Sequence, residues 1–94
     1  MKREIILQKL KDILMDDEYV VLKEMIPELT EQTSLINDLA FDSLQIMNLI
    51  VQIEKRFEFA CEADEMNLDM FENVSMLIDF IQNKLSAKQG DLVN

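Results

Sequence analysis

Apolar residues recur along this chain at helical rather than strand spacing. Over residues 2 to about 15, Ile6, Leu10, Ile13 and Leu14 fall three or four positions apart, with Lys9, Lys11 and Asp12 on the opposite face. This predicts a first helix of three to four turns. From residue 16 to 41 the rhythm loosens. Asp16-Asp17-Glu18 interrupts it, residues 19 to 25 allow one further turn, and Pro27 is not expected in a helix interior. This stretch still carries Leu29, Leu35, Ile36 and Leu39, so a long connection pinned across the core is expected.

A second helix is predicted from Asp42 or Ser43 to about Phe57, because Asp42 followed three positions later by Gln45 has the form of a capping box. Ile46, Leu49, Ile50, Ile53 and Phe57 make a core-facing stripe. Leu44, Met47 and Val51 are left on adjoining faces, more apolar surface than a small domain easily buries. Leu44 is expected to be exposed, whereas Met47 and Val51 suit core and surface equally. Residues 58 to 64 read as a turn and linker, and residues 65 to about 72 as a short helix. Asn73 is a suitable N-cap for a last helix carrying Val74, Leu77, Ile78, Ile81 and Leu85. The fold expected is all-α, a small irregular four-helix bundle with three main helices, one short third helix and a long first loop. Residues 1–85 form its single domain and residues 86–94, polar and holding Gly90, a flexible tail.

Composition narrows the class. A chain of 94 residues, 49% of them hydrophobic, buries one modest core, and no alternating run supports a strand. Nine basic residues against 19 acidic give a net charge of −10, which disfavours nucleic acid and anionic lipid and favours protein partners with basic surfaces. No window approaches a membrane span. The single cysteine, Cys61, excludes an internal disulfide and is expected to be a small buried hydrophobe in a soluble cytoplasmic protein. With no histidine, an ordinary zinc site is ruled out, and Asp64, Asn67 and Asp69 lack the spacing and central glycine of a calcium loop. No metal site is expected.

Ser43 raises the chemical question. A nucleophilic serine needs a base, and a chain with no histidine cannot build a Ser-His-Asp arrangement. Its one glycine, Gly90, leaves no loop to cradle a nucleotide. A serine opening a helix can instead be modified, since free N–H groups and the positive end of the helix dipole stabilise an attached phosphate. Asp38 and Asp42 would repel that phosphate unless a cation or a basic partner mediates. Spacing alone leaves plain capping open, with Asp42 as the cap and Ser43 incidental. A small acidic helical adaptor that binds a basic partner without any prosthetic group is then the alternative.

The run Ser34-Leu35-Ile36-Asn37-Asp38-Leu39-Ala40-Phe41-Asp42-Ser43-Leu44 resembles the Asp-Ser-Leu signature of acyl carrier proteins and the segment before it. The likeness continues through Glu54 and Phe57 and returns at Val74 and Ile78-Asp79-Phe80-Ile81. What the resemblance implies is a free-standing, non-catalytic carrier. A 4′-phosphopantetheine arm on Ser43, attached from coenzyme A by a phosphopantetheinyl transferase using magnesium, would hold acyl groups as thioesters. The carrier would deliver them, as a monomer, to fatty acid, polyketide or related enzymes: synthases, acyl transferases or ligases with basic docking faces. By the same likeness the second helix is the recognised surface, with Leu44, Met47 and Val51 for apolar contact and Asp38, Asp42 and Glu54 for charge.

Several positions depart from the family pattern. Glycine is frequent where this chain has Ala40 and Glu58, so the second helix is expected to end differently or run further. Asn48 stands where an acidic residue is common, and Lys55 and Arg56 where many fatty acid carriers are acidic, pointing away from the primary fatty acid role. Ala40-Phe41-Asp42-Ser43 lacks the paired glycines of peptide-synthetase carriers. An acyl chain is expected to enter between the second and third helices, near Met66 and Met70.

Overall fold

In a computed structural model, which describes residues 1–18, 20–62 and 67–93 and side chains as far as residue 87, the first apolar stripe turns inward on α1 (Arg3–Asp16). Ile6, Leu10, Ile13 and Leu14 are all buried, and removing each from water contributes about 1.5–3 kcal/mol. A 3₁₀ helix follows at Lys23–Glu28, then α2 (Ser43–Phe57), a second 3₁₀ helix at Leu68–Phe71, and α3 (Val74–Val93). Among the described residues there is no strand, and the all-α bundle expected from the sequence is the architecture observed. Helix α1 packs on both α2 and α3, and α3 rests on the second 3₁₀ helix.

The long connection wraps as its apolar residues require. Leu29, Leu35 and Leu39 are buried and Ile36 half-buried. Its backbone is held too: the Leu35 and Ile36 N–H groups donate to Phe71 O, while Thr33 O and Glu31 O accept from Val74 and Ser75. This lashes the loop to the start of α3, satisfying polar groups that burial would otherwise strand. Helix α1 is closed at its C-terminus by a distant side chain. Lys23 Nζ donates to the carbonyls of Leu14, Met15 and Asp17, setting a positive charge at the negative end of the helix dipole. At the other end, the Arg3 guanidinium donates to Glu31, Asp79, Gln82 and Ser75, joining α1 to the loop and to α3. The Arg3 hydrogen bond holds the Glu31 carboxyl below the usual range.

Several expectations need correcting. The last helix continues to Val93, so residues 86–93 are helical instead of a tail. The apolar stripe ends earlier, but nothing before Gly90 breaks a helix, and a glycine within one costs only about 1 kcal/mol. Pro27 does lie inside a helix, the 3₁₀ segment Lys23–Glu28. The short third helix is a 3₁₀ turn over Leu68–Phe71, opened by Asn67, whose side chain accepts from Met70 N. Tyr19, Asp64, Glu65 and Met66 lie outside the described residues. Cys61 is half-buried, not buried. Helix α2 ends at Phe57 as the periodicity predicts, and the turn after it forms without glycine.

Candidate functional site

The site is built around the first turn of α2. Asp42 Oδ1 accepts from Gln45 N at 2.9 Å and Gln45 Oε1 accepts from Asp42 N at 3.1 Å, so the capping box read from the sequence is complete. Ser43 is therefore the first helical residue, and it is exposed. Among the described residues its hydroxyl makes no hydrogen bond, because Asp42 does the capping. Among the described residues the N–H groups of Ser43 and Leu44, at the open end of the helix, likewise have no acceptor. Positive dipole, unpaired donors and an exposed hydroxyl thus converge on one spot.

Both neighbouring carboxylates are turned onto backbone donors. Asp42 caps α2, and Asp38 Oδ2 accepts from Ser34 N at 2.8 Å inside the turn that precedes the helix. Each carboxylate thereby has a backbone donor of its own, and both remain exposed. The capping role of Asp42 is legible in the sequence; that of Asp38 is not.

Two residues bracket α2 in the left-handed region, Ala40 at φ 55° and Glu58 at φ 58°. These are the two positions where the resemblance leads glycine to be expected. Before the helix, Ala40 turns the chain so that Phe41 is buried beside it. After it, the N–H groups of Glu58 and Phe59 both donate to Glu54 O, and Phe59 stacks on Phe57 with ring centroids 6.3 Å apart. Backbone strain is accepted at both ends, and the helix keeps its length.

The exposed face is equally specific. Leu44 is 64% exposed, Met47 65% and Val51 43%, while Ile46, Leu49, Ile53 and Phe57 are buried and Ile50 is half-buried. Met47 and Val51 are thus surface residues. Leu44, Met47, Val51 and Glu54 are spaced three, four and three apart, so they share one face. Glu54 also ties down the loop after α2, its Oε2 accepting from Cys61 N at 2.9 Å. Asn48, on the edge of this face, donates from Nδ2 to Asp17 Oδ1 at 3.1 Å and links α2 to the end of α1. Between these helices lies a cleft of about 430 Å³, with Asp16, Asp17 and Glu18 on one side and Lys55 and Arg56 on the other. Sequence periodicity carries no sign of the cleft, which depends on how α1 and α2 pack.

Comparison with known proteins decides what this arrangement belongs to. The family profile described as a phosphopantetheine attachment site matches residues 6–81. An acyl carrier protein of Coprothermobacter proteolyticus is 36% identical over 88 residues, covering 94% of this chain and 100% of its own. This chain belongs to the acyl carrier protein family. An acyl carrier protein of Thermotoga maritima is 32% identical across 88% of this chain and 95% of its own. The solution structure of holo acyl carrier protein from Nitrosomonas europaea superimposes with a TM-score of 0.74 at 31% identity, covering 85% of this chain and 95% of that one.

Acyl carrier proteins are carriers, not catalysts, and this chain is a carrier in the same sense. The prosthetic group of the family is 4′-phosphopantetheine. An exposed hydroxyl beside two open N–H groups at a helix start fits a phosphodiester. The carrier works with biosynthetic enzymes, as the family does in general. No helix among the described residues is long and apolar enough to cross a membrane.

Proposed function

We propose that Ser43 Oγ is the attachment point of the arm, and that this monomeric carrier presents acyl groups to cytoplasmic enzymes of fatty acid, polyketide or related synthesis. The observation that supports this most is the exposed Ser43 hydroxyl, free of any capping duty at the open end of α2. When attached, the arm supplies a terminal thiol that holds the acyl group as a thioester. Everything else falls to the chain. Asp42 and Gln45 keep the first turn wound, and the N–H groups of Ser43 and Leu44 at its open end would hold the phosphodiester.

Docking falls to the exposed face of α2. Leu44, Met47 and Val51 provide apolar contact, and Asp38, Asp42 and Glu54 place negative charge around them to draw in a basic enzyme face, the transferase included. Met70, buried beside α3, is placed to yield to an alkyl chain; Met66 lies outside the described residues.

The test is intact-mass spectrometry of the chain incubated with coenzyme A, magnesium and a promiscuous phosphopantetheinyl transferase. One arm is expected to be added to the wild-type chain and none to Ser43→Ala. Addition to Ser43→Ala, or no addition to either, refutes the assignment.

A further inference from the structure

The exposed face of α2 does not stop at Val51. With 3.6 residues per turn, Leu44, Val51 and Lys55 fall along one line and Asn48 lies beside it. Lys55 and Arg56 form the basic last turn of the helix, and both are exposed. Several other basic side chains are committed within the chain. Arg3 binds Glu31 and Asp79, Lys11 donates to Pro27 O, and Lys23 closes α1. Among the described residues Lys55 has no such partner, and Arg56 stands 3.8 Å from Asp12 in an exposed pair worth little.

Charge on α2 is therefore unevenly placed along its length. Asp42, with Asp38 just before it, marks the Ser43 end, and at the other end Lys55 and Arg56 stand between Glu54, tied to Cys61 N, and Glu58. Lys55 lies twelve residues beyond Ser43, about 18 Å at 1.5 Å per residue. The chain as a whole carries a net charge of −10, so any basic surface is drawn to it from a distance. Only at contact does the exposed Lys55 matter. A uniformly basic face then meets repulsion at Lys55, whereas a face with a carboxylate there gains a charge pair.

We infer that the enzymes this carrier serves present a basic group beside Ser43, apolar contact for Leu44, Met47 and Val51, and an acidic group opposite Lys55 about 18 Å away. The inference rests on the proposed reading that Ser43 bears the arm and α2 is the docking face. Lys55 is on this account a specificity residue. It discriminates against enzymes whose docking face is basic throughout, and the adjoining wall of Asp16, Asp17 and Glu18 confines the acidic group to the Lys55 side of the cleft.

The probe is a promiscuous phosphopantetheinyl transferase with a uniformly basic docking face, acting on the unmodified wild-type chain, Lys55→Gln and Lys55→Glu. Circular dichroism checks that all three share one fold, as expected for an exposed side chain at the mouth of the cleft. The KM for the carrier should fall in that order, by about 3- to 10-fold between wild type and Lys55→Glu at low salt, with kcat unchanged and the difference gone at high salt. In the reciprocal arm, docking-face lysines and arginines of the transferase are changed singly to glutamate. One such variant should prefer the wild-type chain over Lys55→Glu. Equal KM values at low salt, a difference that survives high salt, or the lack of any reversal overturns the inference. Failure of every chain to gain the arm is a separate result, visible by mass, and brings down the reading of Ser43 itself.

Discussion

Replacing the two left-handed residues that flank α2 by glycine should stabilise the protein. A residue with a Cβ held in that region costs roughly 1–2 kcal/mol, and Ala40 and Glu58 both sit there, at φ 55° and 58°. Glycine removes the steric cost but gives back about 0.4–1 kcal/mol through the greater freedom of the unfolded chain. The net gain expected is about 0.5–1 kcal/mol for Ala40→Gly and the same for Glu58→Gly. The sites lie at opposite ends of a 15-residue helix, far enough apart for the effects to add. The double variant should gain about 1–2 kcal/mol, raising Tm by roughly 4–16 °C for a domain of this size. Thermal unfolding followed by circular dichroism measures it. Glu58→Gly also removes a negative charge from the negative end of the helix dipole, which is favourable in itself. Glu58→Ala isolates that contribution, since it deletes the charge and keeps the Cβ. If Glu58→Ala gains as much as Glu58→Gly, or if Ala40→Gly leaves Tm unchanged or lowers it, backbone strain is not the cause and the reasoning fails.

Three further outcomes are expected. Asp42→Ala should lower stability by about 1 kcal/mol and Asp42→Asn by only a few tenths, read as a shift in urea midpoint at constant slope, because asparagine caps as well as aspartate. Lys23→Met, which leaves three carbonyls at the end of α1 without their charged donor, should cost about 1–2 kcal/mol in the same assay. The third concerns acid. Because Arg3 holds the Glu31 carboxyl below its ordinary range, the stability it contributes is present above the unfolded-state pKa and lost as pH falls through the folded-state value. The advantage of wild type over Glu31→Gln should therefore be largest near neutral pH and shrink as pH drops below about 4.3. A difference that grows in acid would contradict the Arg3–Glu31 assignment.

Much of this fold is written in local patterns. The buried positions of α1, α2 and α3 follow from 3.6-residue periodicity, and Asp42 with Gln45 announces the start of α2 because a capping box is a contact between near neighbours. What the sequence hides is mostly long-range. Lys23 on the end of α1, Arg3 on Glu31 and Asp79, and Asn48 on Asp17 each join residues whose spacing carries no signal. Residues 86–93 depart from expectation because loss of the apolar stripe does not by itself end a helix. At the site, Ser43 and exposed Leu44 are legible from the chain alone. Met47 and Val51 are not, because their exposure depends on how many apolar faces the neighbouring helices cover.

The isolation of the Ser43 side chain has a consequence for regulation. The hydroxyl supports neither the cap nor the core, so on the proposed reading attachment of the arm breaks no contact that holds the first turn of α2 together. An enzyme that must tell a bare carrier from one bearing the arm would have to sense the arm itself, since the turn beneath is the same in both.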